Sequence, residues 1–205
     1  MNRLAGYCGI AATLMCLAAV LGFGGALEDY SQIHHPLGLL GGKDIPNALA
    51  FNLLGFVVPG VLAAIAMSTL RTSLPSAAGW SMRIGVQLLV LSAIAFAAQG
   101  LVPIDPADLG APGNRYHAVA WTLWWIAFVS GSLLLAWSIG RYPQERTQAW
   151  VSMGAAITVL AFALFAPGAI PSAIAERIAF AAWFGWLLLV TRNSRPSALP
   201  TQVIG

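Results

Sequence analysis

Residues 28–60 read EDYSQIHHPLGLLGGKDIPNALAFNLLGFVVPG. The stretch begins where one apolar run ends, crosses a polar loop carrying His34 and His35, and enters a second apolar run through Pro46-Asn47. Proline at that place suits the first turn of a helix, where its missing N–H is not needed. The loop thus joins two helices at one boundary of a membrane, and distant polar residues are expected to gather there.

Of the 205 residues, 59% are hydrophobic and 8% are charged, against roughly 45–50% and about 25% in soluble domains. Mean hydropathy is +0.78. A water-soluble globule is excluded. A run of ~20 apolar residues spans ~30 Å of hydrocarbon, and such runs lie near residues 4–27, 47–70, 84–102, 116–139, 149–166 and 172–190. The chain reads as an all-α integral membrane protein. Its single six-transmembrane-helix bundle occupies residues 1–191 and a short tail covers 192–205. The first run exceeds the ~7–15 residues of a signal-peptide core, so it is expected to be a retained helix. Pro59-Gly60 falls inside the second run, Pro75 marks the next loop, and Pro103 ends the third span. Pro167 to Pro171 form a tight connection between the last two.

The net charge is +3, yet no basic run exists, so nucleic acid is excluded as a partner. Threading six spans puts Arg3, Arg71, Arg83, Arg141, Arg146, Arg192 and Arg195 on one side with Glu145. The other side receives Lys43, Arg115 and Arg177 beside Glu28, Asp29, Asp44, Asp105, Asp108 and Glu176. Lys and Arg accumulate on the cytoplasmic side of membrane proteins. Both termini are therefore expected to be cytoplasmic, and the acidic loops to face the periplasm of a bacterial inner membrane.

Polar groups within apolar spans are costly and normally face the bundle or a wet cavity. Asn52, Gln99, His117, Glu176 and Arg177 all fall near the outer boundary under this threading. Ser92 and Gln99 are seven apart and share a helix face, while His117, Trp121, Trp124, Trp125 and Phe128 form one stripe. With His35, Asp105 and Arg115 from the loops, they describe an outward-open polar pocket with an aromatic floor. Arg115 or Arg177 would pair there with a phosphate or carboxylate. Each residue alone also fits a plainer role: aromatic belts line bilayer interfaces, small polar residues tie helices together, and Glu176-Arg177 suits a snorkelling pair. Convergence of the set favours the pocket.

His35, Asp105 and His117 are the donors that would suit zinc, but nothing has the ligand spacing of HExxH, and no metal is favoured. Haem between His35 and His117 is weaker still. No GxSxG elbow, phosphate loop or dinucleotide fingerprint occurs. Cys8 and Cys16 lie inside the first span, where they are expected to pack between helices.

Several of these stretches resemble the DUF998 family of small multi-span membrane proteins. They are Ser31 through His35-Pro36-Leu37-Gly38, PNALAFNLLGFVVPG from Pro46 to Gly60, and GLVPID from Gly100 to Asp105. His117 with Ala118 and Ala120, and the Glu176-Arg177 pair, complete the pattern. The chain is also distantly similar to DRAM-type six-span proteins, some linked to lipid handling. The resemblance implies His35, Asn52, Asp105 and His117 as pocket residues, and it implies no reaction.

Three functions follow as expectations. The first is binding or moving a membrane lipid or amphiphile through the outer pocket, with a proton-coupled carrier using Glu176 as a variant. The second is an intramembrane hydrolase with zinc and its water on His35, Asp105 and His117. The third is a structural or partner-binding subunit packed through small residues such as Ala5, Gly9, Ala12, Gly131 and Ser132. Oligomeric state stays open, a homo-oligomer included.

Overall fold

The computed structural model describes residues 3–165, apart from 75 and 77, and residues 168–193. Pro75, Ala166, Pro167, Arg195 and the tail beyond residue 193 lie outside the described residues. Six helices are long and apolar enough to cross a membrane: α1 (Arg3–Ala26), α2 (Ala48–Thr72), α3 (Trp80–Gln99), α4 (Pro112–Ile139), α5 (Pro143–Phe165) and α6 (Ser172–Asn193). No strand occurs among the described residues. Each helix packs on the next in sequence and α6 returns to α1, closing a ring. Thr191 stands against Gly9, so both ends of the described chain share one end of the bundle. That end carries most of the arginines and is called here the arginine end; the opposite one is the loop end.

Helix boundaries follow local chemistry. The third span stops at Gln99 instead of near Val102, as expected from the apolar run, because Val102 precedes Pro103 and is pushed out of helical geometry. Gly100 and Leu101 close it with tight turns onto Ala97 and Ala98 carbonyls. The same span starts earlier, at Trp80, where Arg83 reaches back to the Ala78 and Ser76 carbonyls at 3.0 and 2.8 Å. Helix α4 begins at Pro112, again a first-turn proline. Within α2 a wide π-type turn covers Asn52–Val57, just before Pro59. Proline lacks an N–H and its ring clashes with the carbonyl four residues back; the widened turn accommodates both.

Hydrocarbon does not drive helices together, so close packing must. In α1 the small residues Ala5, Cys8, Gly9, Ala12, Cys16 and Ala19 face inward, while Leu4, Tyr7, Ile10, Leu14, Leu17 and Leu21 face outward. Both cysteines are free and buried. Gly60 leaves room for the Ala97 backbone, and Gly85 and Gly131 bring α3 and α4 into main-chain contact, since a Cβ on Gly131 would stand 2.8 Å from the Gly85 carbonyl. The centre of the ring is filled by aromatic side chains. Phe96 stacks on Trp183 at 4.7 Å, and Phe180 meets Phe56, Phe96 and Trp124 edge-on. Buried hydroxyls tie neighbours: Ser92 donates to the Trp124 carbonyl at 2.9 Å, and the Trp186 indole donates to Ser152 at 3.0 Å.

Replacing Gly131 by leucine is expected to push α3 from α4 and destabilise the bundle by about 1–3 kcal/mol, read as a lower melting temperature in detergent. Gly154→Leu, at an exposed position with nothing within 4 Å of the new Cβ, should leave melting unchanged.

Candidate functional site

Arg177 lies one turn into α6 and carries five N–H donors. Its Nε and Nη2 both reach the Gln32 Oε1, at 3.1 and 2.9 Å. Nη2 also reaches the Tyr30 hydroxyl at 2.7 Å, and Nη1 the carbonyls of His35 at 3.0 Å and Ala173 at 2.8 Å. Every donor is thus spent on neutral acceptors, most of them in the loop between α1 and α2. Gln32 in turn donates to the Val20 carbonyl at 3.1 Å, in the space where Gly24 has no side chain. Tyr30, outside the spans, has its phenol pushed above the ordinary value by burial, with Arg177 pulling it part of the way back. It therefore stays a neutral hydroxyl.

The same loop is held at four further points. Glu176 Oε2 accepts from the Leu37 N–H at 2.9 Å, at the first residue of a short 3-10 turn, Leu37–Gly41. Asn52, inside the π-type turn of α2, donates to the Gly41 carbonyl at 2.8 Å; its amide occupies the place a Gly41 side chain would need. Lys43 N–H donates to the Ile104 carbonyl at 2.8 Å, and its ammonium pairs with Asp105 at 3.2 Å. Asp105 and Asp108 are further bound to Asn114 through their main chains. The Lys43 hydrogen bond holds the Asp105 carboxyl below the ordinary carboxylate range and raises Lys43. Their attraction is lost only as pH falls through the lowered Asp105 value or rises through the raised Lys43 value. Lys43 is exposed and Asp105 half-buried at the surface, so this tie is a weak one.

His117 supports the loop from below. Its Nδ1 lies 3.1 and 3.0 Å from the Gln99 and Val102 carbonyls. Carbonyls only accept, so Nδ1 carries the proton and closes the C-terminus of α3. Nε2 then faces Gly38, where an added Cβ would come within 3.2 Å, and the ring edge meets Phe56 at 6.3 Å. Of the two loop histidines His35 is the inner one. It packs on Tyr30 at 5.6 Å between ring centres and its Nδ1 accepts from the Ser31 N–H at 3.1 Å, while His34 is exposed.

The structure therefore brings His35, Asn52, Glu176, Arg177 and His117 to one end of the bundle, but around a folded loop instead of an open hollow. Asp105 joins the rim through Lys43. Arg115 is exposed and makes no hydrogen bond or ion pair among the described residues. Trp124 and Phe128 are fully buried in the core, whereas Trp121 and Trp125 are half-buried. Arg177 has no donor left for a phosphate or carboxylate. Among the described residues no three His, Cys, Asp or Glu side chains lie close enough together to hold a metal ion. His35, Asp105 and His117 each have other partners, so the zinc arrangement gains no support from the geometry.

What stays open is a cleft of about 210 Å³ beside the loop, lined by Pro36, Trp121, Phe162, Ala163, Ser172 and Glu176. At the depth of His117, Gln99 is fully buried with both amide atoms unbonded; native proteins rarely leave such groups unpaired. Sequence reasoning missed Tyr30 and Gln32, whose partner Arg177 is far away in the chain, Asn114, which ties the main chain of the loop before it at Asp105 and Asp108, and Phe162, which only the end of α5 brings to the cleft. It also missed a second cleft of about 240 Å³ at the arginine end, where Met67, Val86 and Leu89 lie beneath Ser81, Ser138 and Gln148.

No match was found when the chain was compared with known protein families, with curated proteins and with solved structures.

Arg177→Lys keeps the charge but removes the fork. Hydrogen bonds to a charged group contribute about 1.5–3 kcal/mol, so hydrogen exchange at the amides of residues 31–42 should speed up by at least about tenfold, with α3 and α4 unaffected. Unchanged exchange would show that the loop is held by other ties.

Proposed function

We propose that the chain is an integral protein of a bacterial inner membrane, of the DUF998 type, that binds or moves an amphiphile at its loop end. Its termini face the cytoplasm under this reading, which the concentration of arginine at their end supports. The observation that carries the proposal is the position of Glu176. One carboxylate oxygen holds the Leu37 N–H of the loop, and the side chain also lines a cleft walled by Trp121 and Phe162. A polar head at the carboxylate and a tail between the aromatic rings fit this cleft, and its mouth lies between helices. Because Glu176 is acidic and Arg177 is fully engaged, the head is a cationic or hydrogen-bond-donating one, not the phosphate or carboxylate suggested by the arginines alone.

The loop gives the site a gate. A donor arriving at Glu176 competes with Leu37 for the same oxygen, so binding weakens the latch and a firm latch weakens binding. A structural or partner-binding role is the second reading, favoured by how completely the loop fills the mouth.

Binding of dodecylamine and of dodecanoic acid, equal in tail length, separates these readings. With the whole protein in neutral-lipid nanodiscs and empty discs as background, the amine should bind more tightly. Glu176→Gln should lower amine affinity by at least about tenfold. Equal binding of both probes, or an amine affinity indifferent to Glu176→Gln, sinks the proposal and leaves the structural reading.

A further inference from the structure

At the arginine end, away from the latch, a groove of about 590 Å³ runs between α4 and α5. Arg141 and Arg146 stand at its mouth, Trp137 and Trp150 line it, and Leu133 and Met153 lie along its length. The two indoles are exposed, at 69% and 67%, and the Arg141 guanidinium lies over the Trp137 ring at 5.7 Å. Neither Arg141 nor Arg146 forms an ion pair among the described residues. Arg83, at the same end, is turned away onto the Ala78 and Ser76 carbonyls. A groove of similar size between α2 and α3, about 580 Å³, has no charged residue in its lining, only hydroxyls of Ser68, Thr69 and Thr72 among apolar side chains. Of these two grooves only the α4–α5 one carries charge; the smaller cleft beside it shares Arg141 but sets Glu145 in the same lining, so the α4–α5 groove is the one lined by arginines with no acidic residue.

Two guanidiniums with no ion-pair partner among the described residues, two interfacial indoles and an apolar channel leading down from them match one class of molecule. We infer that this groove holds an anionic phospholipid. Its phosphate sits between Arg141 and Arg146, which offer the planar forks that phosphate oxygens accept. The glycerol backbone lies at the level of Trp137 and Trp150, where indoles favour the membrane interface, and one acyl chain follows Leu133 and Met153. Basic recesses between transmembrane helices are general binding places for anionic headgroups. The site is independent of the amphiphile cleft at the loop end and stands or falls separately from it.

The test uses the whole protein, delipidated in detergent and titrated with dioleoyl phosphatidylglycerol or dioleoyl phosphatidylcholine while melting is followed. Phosphatidylglycerol should bind at least about tenfold more tightly. The double variant Arg141→Gln/Arg146→Gln should lose that preference, and Arg71→Gln, an exposed arginine at the same end outside the groove, should retain it. Equal affinity for both lipids, a preference that survives the double variant, or an equal loss in Arg71→Gln overturns the inference; the last outcome would mean diffuse attraction to the whole end. A second measurement does not depend on the double variant folding. Phosphatidylglycerol brominated on its acyl chains should quench indole fluorescence more than the brominated choline lipid, and Trp137→Phe/Trp150→Phe should abolish the increment. An increment that persists in that variant also overturns the site.

Discussion

A loop that folds over the mouth of a membrane bundle brings main-chain N–H and C=O groups to a depth where water is scarce and hydrocarbon pairs none of them. The Arg177 guanidinium answers that constraint. Its donors meet the His35 carbonyl, the Tyr30 hydroxyl and the Gln32 amide of the loop, and the Ala173 carbonyl of its own helix. None of these acceptors is a carboxylate, so dipoles and not an ion pair hold the charge. Glu176, the neighbouring residue, takes the complementary task of accepting a loop N–H. One turn of α6 thus supplies both a donor array and an acceptor, and the loop is fixed from both kinds of polar end.

The latch needs a rigid frame, and the packing provides it without the hydrophobic drive available in water. Small residues on the inner face of α1 and glycines at the α3–α4 seam let backbones approach. Bulky aliphatic side chains are left to the lipid face. The volume enclosed by the ring is then taken up by Phe56, Phe96, Trp124, Phe180 and Trp183, whose edge-to-face contacts add to their packing. His117 sits where this aromatic core meets the loop. Its Nδ1 satisfies the end of α3 while its ring borders Gly38. The core, the helix end and the loop therefore share one side chain.

The six spans were legible because hydropathy over ~20 residues is a property of the local sequence. So was the gathering of Asn52, Gln99, His117, Glu176 and Arg177 at one depth, which needs only an up-and-down path. What they gather around was not legible. Asn52 pairs with the Gly41 carbonyl, and Arg177 with the His35 carbonyl, and main-chain acceptors leave no mark in a sequence. The loop read as the rim of a hollow because its polar residues were counted and its backbone was not. Trp124 was legible as part of a stripe, but whether a stripe floors a cavity or fills a core depends on facing helices such as α6. The groove at the arginine end escaped notice for a different reason: arginines there are explained by orientation alone, so it takes three dimensions to see that Arg141 and Arg146 line one groove and form no ion pair among the described residues.

Under the proposed binding mode, the latch also sets selectivity. A ligand that takes the Glu176 oxygen must replace the Leu37 N–H, and displacing one hydrogen bond costs about 0.5–1.5 kcal/mol. That cost lowers apparent affinity by roughly 2- to 13-fold relative to an open site. A tail alone, which gains nothing at the carboxylate, cannot recover it, so apolar lipid molecules in the surrounding membrane do not open the mouth. A head that donates to the carboxylate recovers the loss directly. The closed loop is held by Arg177 from one side and by Glu176 from the other, and under this binding mode the Glu176 carboxyl is the group at which an incoming ligand would compete with the loop.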